Sequence, residues 1–380
     1  MKRLVAMLIS LGLALVATGP HAKVTSVSGN RFKPAERPFT DELVKTLKVP
    51  AGFQVNVFAK GLENPRMMRV GEDGTVYVTR QKQNDVLALV DRDGDGVADG
   101  APRTVVSNLN QVHGVALFEN KLYLAAPTMV WSAQLSADGS IGSPQVLISN
   151  LPDGGQHRGR TIGIGPDRLL YISIGSSCND CAEANPNHAT MMRARLDGSE
   201  VKVFARGLRD TIGFDWHPVS GELWGADNGA DWKGDQIPPE ELNWIKEGGN
   251  YGWPICYGKR IVDEATIAEP KDVTQEDIDK KAYCARTEPA VLTYDADAAP
   301  IGMVFYNANQ FPEDYRGDAF IAYHGSWNRT KPVGYKVVRT RFQNGKAIAW
   351  NDFLSGFINQ SGTAYFGRPA ELLSHATARC

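Results

Sequence analysis

Long apolar runs, blocks of one charge sign and helical periodicity are all scarce in this sequence. Past residue 22 no apolar stretch approaches the roughly 20 residues that a membrane-spanning helix needs. Lys and Arg number 41 against 43 Asp and Glu, a net charge of −2. With neither sign in a long run, nucleic acid and anionic membrane surfaces are not natural partners. No Gly-x-Gly-x-x-Gly turn joins a strand to a helix, which argues against a nicotinamide cofactor. Nor is there a haem-attachment signature, because Ala182 stands where the His of a Cys-x-x-Cys-His string belongs.

What is present begins with Met1-Lys2-Arg3, an apolar stretch from Leu4 to Ala17 and small or turn-forming residues before Lys23. That order is expected of a secretory signal peptide over residues 1–22, hence a periplasmic or secreted protein with no span once it is removed. Five cysteines in an exported chain leave at least one unpaired. Cys178 and Cys181 form a Cys-Asn-Asp-Cys pair, Cys256 and Cys284 bracket a polar insertion, and Cys380 is the spare. No thioredoxin-like βαβ pattern surrounds the first pair, so structural bridges are the expectation.

A unit of turn, alternating strand and central aromatic recurs five times, at Tyr77, Tyr123, Tyr171, Trp224 and Phe320. The separations are about 46, 48, 53 and 96 residues, against roughly 40 to 50 for one propeller blade. The long gap is a blade plus an insertion at about residues 238–295, with a helix-prone stretch over 273–281. A sixth unit starts near Phe353 and stops matching after Pro369. The expected fold is all-β: one six-bladed β-propeller over residues 23–380, its sixth blade incomplete at the C-terminus.

Two features carry chemistry. Asp91, Asp93, Asp95 and Asp99, with Gly96 between them, have the spacing that wraps hard oxygen ligands around calcium. Position 12 of that loop is Pro102 where a Glu belongs, so a solvated Asp-Gly hairpin is an equal reading. Second, His157, Arg209-Asp210 and Arg368 fall at the corners where successive units turn into their innermost strands. Such groups converge on one axial pocket, which is costly unless they bind something.

The strings His157-Arg-Gly-Arg-Thr-Ile-Gly-Ile-Gly-Pro-Asp, Gly207-Leu-Arg-Asp, Gly248-Gly-Asn-Tyr-Gly-Trp-Pro, His324-Gly-Ser-Trp-Asn-Arg and Phe366-Gly-Arg-Pro resemble the glucose/sorbosone dehydrogenase family, in its sorbosone dehydrogenase-like branch. The resemblance runs from about Val49 to Pro369 and implies a propeller enzyme using pyrroloquinoline quinone (PQQ) and calcium. It implies His157 as general base toward a sugar hydroxyl. It also implies Arg209 beside the quinone oxygens, with Asp210 where glucose-oxidising members carry Asn. The loop holding Asn228, Gly229 and Ala230 matches the one whose main-chain carbonyls bind calcium, a Lewis acid toward the quinone. Arg80, His324, Asn328 and Arg329 match cofactor-facing positions; Trp327 is either a stacking surface or a core residue, and His113 is a further candidate.

Ser176 departs from the family, standing where an Asp orients the catalytic His. The resemblance therefore implies oxidation of an aldose, sorbosone-like sugar or related polyol, with electrons leaving to a separate quinone or cytochrome. Two rivals share the architecture: a calcium-dependent lactonase and a non-enzymatic, degenerate binding propeller.

Overall fold

The computed structural model describes residues 32–136, 139–152, 155–270 and 278–374. The signal-peptide reading and Cys380 lie outside them.

Five four-stranded antiparallel sheets follow one another along the chain. Blade 1 comprises Met68–Val70, Val76–Arg80, Asp85–Leu89 and Arg103–Val106; blade 2 comprises Gly114–Phe118, Lys121–Ala126, Met129–Gln134 and Gln145–Ile148. Blade 3 is Ile162–Ile164, Leu170–Ile174, Thr190–Ala194 and Lys202–Arg206. Blade 4 is Thr211–Trp216, Leu223–Asp227, Glu240–Ile245 and Leu292–Tyr294, and blade 5 is Pro300–Phe305, Ala319–Tyr323, Lys336–Gln343 and Lys346–Leu354. The repeated aromatics Tyr77, Tyr123, Tyr171, Trp224 and Phe320 all lie buried on second strands, where the alternating pattern puts them. The turns before them have local causes: Asp73 accepts the Thr75 N–H, and Asp167 accepts the Leu169 N–H and the Tyr171 hydroxyl.

Apolar clusters lie between neighbouring blades, as in the group of Ala116, Tyr123, Ile162, Leu170 and Ile174 joining blades 2 and 3. Near the axis the inner strands approach backbone to backbone. A Cβ on Gly213 would fall 2.7 Å from the Gly302 carbonyl carbon, and one on Gly302 would fall 2.2 Å from Ala370 O, so neither position admits a side chain.

The expected count of six is corrected to five. At the sixth position the described residues form only a two-residue parallel pair, Ala35–Glu36 against Ala364–Tyr365, and isolated bridges of Lys48 with Ser355 and of Ile358 with Tyr365. Residues 370–374 form no strand. Aromatic packing fills the space: Phe53 meets Phe311 at 4.7 Å and Phe353 at 5.0 Å, on the blade 5 side. Phe58 packs on Val78, Leu87 and Leu89 of blade 1.

The insertion is also shorter than expected. Glu240–Ile245 and Leu292–Tyr294 are strands of blade 4, so the excursion runs between them. It contains a short hairpin, Cys256–Tyr257 with Ile261–Val262, and a helix, Lys280–Ala285, joined by the Cys256–Cys284 disulfide. Cys178 and Cys181 are bonded as well. Among the described residues no helix is long and apolar enough to cross a membrane.

Candidate active site at the blade corners

Alternating strand direction sorts the loops onto two faces. Segments entering each inner strand share one face with the loops joining second to third strands, and the site is built from these two sets. The Asp91–Asp99 loop joins a third strand to a fourth and so lies on the opposite face.

His157 enters blade 3. Its Nδ1 lies 3.0 Å from Ser176 O and 2.8 Å from Ser176 Oγ. The Ser176 hydroxyl proton is committed to Cys178 O at 2.7 Å, so Oγ can only accept. Nδ1 therefore carries the hydrogen and Nε2 keeps a free lone pair, the form a base requires. Ser176 thus orients the imidazole from the place where the family pattern has an Asp. Gly175 makes room for this, since a Cβ there would fall 2.5 Å from His157 Cβ and 2.6 Å from Asp210 Oδ1. Burial, then the Arg209 charge, lowers the His157 pKa to about 3, while burial raises Asp210 to about 6.

Arg209 and Asp210 enter blade 4 on a corner pinned by Asp227. Its carboxylate accepts both backbone N–H groups at 2.9 Å and the Thr211 hydroxyl at 2.6 Å. The Arg209 guanidinium donates to Asn179 O at 3.0 Å, Asn179 Oδ1 at 2.9 Å and Asn228 O at 3.2 Å, with Asp231 at 3.7 Å. Asn228 donates to the carbonyls of Asp210 and Pro300, joining blades 4 and 5.

The loop at Gly229 and Ala230 is held by Glu240, which accepts the Gly229 N–H at 2.8 Å and the Ala299 N–H at 2.9 Å. Asn328 donates to both Asp231 and Asp297, at 3.1 and 2.9 Å. Arg329 donates to Ala296 O beside them. Burial raises Glu240 to about 8 and Asp297 to about 7, and Asp231 adds to both. Carboxylates that hinder one another's ionisation beside main-chain oxygens are a donor set suited to a hard cation such as calcium.

The opposite wall is cationic. Arg368 donates to the carbonyls of His324 and Gly325, and His324 Nδ1 binds Pro369 O at 2.9 Å. His113 and His324 are each lowered to about 3 by burial, with Arg66 or Arg368 as the next cause. Arg66 acts electrostatically on Arg368, Asp210 and Glu371, so it sits between both walls. Among the described residues, Arg66 Nε, His113 Nδ1, Arg329 Nε and Asn328 Oδ1 are buried without a hydrogen-bond partner. The unspent guanidinium donors of Arg66 and Arg329 fit a polycarboxylate such as PQQ.

Trp327 is 37% exposed and meets Trp232 edge to face at 4.7 Å. Arg80, at the end of blade 1's second strand, has its guanidinium paired with Asp85 across the blade and leaning on Glu63. On the other face, Asp91, Asp93 and Asp99 gather oxygens within 4.8 Å, whereas Asp95 is outside that group and accepts the Val97 N–H. Asp91 accepts the N–H groups of Gly94 and Gly96, the bonds of a turn.

Residues 47–355 match the family model described as TrAA12-like. The chain belongs to the TrAA12-like family. An uncharacterized protein of Borreliella burgdorferi is 30% identical over 88% of this TrAA12-like chain and 87% of its own length. A pyrroloquinoline quinone-dependent sugar dehydrogenase of Hypocrea jecorina is 24% identical over 59% of the chain and 60% of its own. Among solved structures, the PQQ domain of Coprinopsis cinerea pyranose dehydrogenase in holo form superposes with a TM-score of 0.71 at 20% identity, covering 92% of this chain and 95% of that one. The resemblance expected from the sequence is borne out, and the lactonase and binding-module rivals are not favoured.

Several groups of this TrAA12-like site escaped the sequence reading. Arg66 precedes the inner strand of blade 1 as His113 precedes that of blade 2, so the repeat itself held the signal. Asn179, Trp232, Glu240 and Asp297 had no local signal.

Proposed function

We propose that this TrAA12-like protein is a PQQ- and calcium-dependent dehydrogenase that oxidises an aldose, sorbosone-like sugar or related polyol and passes the electrons to a separate quinone or cytochrome. One observation carries the reading: His157 with Nε2 free, Arg209 with Asp210, and the Arg66–Arg368–His324 wall meet on one face although they come from five separate segments of the chain.

PQQ, when bound, supplies a quinone carbonyl carbon that accepts hydride. The chain's residues supply the rest. Arg66 and Arg368 bind carboxylates, and Arg209 places positive charge where oxygen becomes anionic. Gly229 and Ala230, with the acids around Asp297, would hold calcium against it. His157 Nε2 takes the sugar hydroxyl proton, and Asp210 stabilises the imidazolium so formed. Export to the periplasm or beyond agrees with two disulfides.

The test is titration of apoprotein with PQQ and calcium, followed by reduction of an artificial dye with a panel of aldoses. Saturable uptake and turnover are expected, with His157→Ala retaining PQQ but not turnover. Failure to take up PQQ with calcium present would end the reading.

A further inference from the structure

The Cys178–Cys181 ring carries two side chains, and each is committed to a different part of the site wall. Asn179 makes four hydrogen bonds. Its main-chain carbonyl and Oδ1 accept from Arg209 at 3.0 and 2.9 Å. Oδ1 also accepts the Asp231 N–H at 2.9 Å, and Nδ2 donates to Asp231 O at 3.0 Å. Asp180 pairs with Lys233 and accepts the Thr266 hydroxyl at 3.0 Å, which anchors the ring from behind.

We infer that Asn179 is a positioning residue: it fixes the Arg209 guanidinium against the Gly229–Asp231 loop, and so sets quinone binding. The inference rests on the proposed function for the word quinone and on geometry for the rest. The position asks for one planar group that accepts from a guanidinium and from a peptide N–H while donating to a peptide carbonyl. Only a carboxamide does all three, since a carboxylate lacks the donor and would neutralise Arg209. Arg209 has other acceptors, in Asn228 O and Asp231, so its loss of Asn179 is a loss of aim rather than of all partners. A disulfide closing four residues limits how far Asn179 can move, and the buried Lys233 limits the ring as a whole. The same ring reaches His157, because Ser176 donates to Cys178 O and accepts from the imidazole. Base and arginine are thereby aimed from one short segment.

Asn179→Ala is compared with the full-length wild type by two measurements. The first needs no cofactor: amide exchange at Asp231 should quicken roughly tenfold or more, while strand amides of blades 2 and 3 stay unchanged. The second is PQQ affinity by absorbance titration with calcium present. It should fall roughly 10- to 100-fold, with sugar KM near wild type, as expected for removal of hydrogen bonds to a charged group. In an Arg209→Lys background the same substitution should cost less than about threefold, because the two residues act as a unit. Equal losses in both backgrounds, or unchanged affinity, would overturn the inference. Should the alanine variant not fold, Asn179→Ser, too short to span both partners, takes its place. If wild type itself takes up no PQQ, the proposed function fails, and unchanged Asp231 exchange then overturns the positioning role as well.

Discussion

His157 Nε2 lies 4.0 Å from Asp210 Oδ2, too far for a hydrogen bond to the neutral ring but near enough to attract an imidazolium. The two groups share one buried corner, and burial moves their pKa values in opposite directions, to about 3 and about 6. Above pH 6 the carboxylate is charged and the imidazole neutral, the state in which a proton arriving on Nε2 is stabilised. kcat/KM should therefore fall as pH drops through about 6, with Asp210 protonation. In Asp210→Asn that limb should vanish, leaving a rate at pH 8 lower by roughly 10- to 100-fold. pH–rate profiles of both proteins decide this; a mutant that keeps the limb at 6 would assign it elsewhere.

Arg66 carries a buried Nε without a partner between the two walls of the site. Replacing it with Met keeps the stem and removes the charge. PQQ affinity should drop by roughly tenfold or more, while thermal stability holds or rises because the desolvated charge is gone. Titration beside a melting curve separates this from general damage.

Legibility from sequence differed sharply between blades and site. A turn, an alternating strand and an aromatic are local features, so the positions of Tyr77 through Phe320 on their strands follow from the residues alone. The insertion begins later than the expected residue 238, because the third strand of blade 4 runs over Glu240–Ile245. The sixth blade is not legible in the same way, because closure depends on strands that the described residues do not form. His157, Arg209 and Asp210 were legible because their corners recur with the period of the blades. Asn179 was not: its partner Asp231 is 52 residues away, and no pattern inside either segment announces the other.

Burial raises Glu240 to about 8 and both Glu241 and Glu371 to about 7. The folded chain therefore binds these protons more tightly than the unfolded chain, whose Glu pKa is about 4.3. Between about 3 and 6.5 the buried neutral His113, His157 and His324 oppose this, so it is above about 6.5 that stability must fall as pH rises toward 8. Apoprotein should melt at a higher temperature at pH 6.5 than at pH 8.5. Glu371→Gln should flatten part of that slope, and a Tm that rises with pH across this range would refute the assignment.

Lys233 lies between Asp180 and Asp263, and all three are buried. Lys233→Met leaves two buried carboxylates without their cation, which costs about 3–5 kcal/mol in comparable pairs. Denaturant unfolding should show a loss of that order. Replacing Asp180 and Asp263 with Asn in the same chain should recover most of it, because the uncompensated charge is then removed. No recovery would mean that packing rather than charge sets the cost.

Trp327 leaves an indole partly in solvent, propped edge to face on Trp232, next to Asn328 and just past the end of blade 5's second strand. An exposed ring of this size on the site face is suited to the apolar face of a pyranose, a contact equally strong before and during reaction. Losing such uniform binding raises KM and leaves kcat alone. Trp327→Ala should raise sugar KM by roughly 2- to 10-fold, matching about 0.5–1.5 kcal/mol for an aromatic contact, and Trp327→Phe should recover part of it. Steady-state kinetics with saturating PQQ and dye give the answer. If kcat falls and KM does not, the ring touches the reacting centre or the cofactor instead of the sugar.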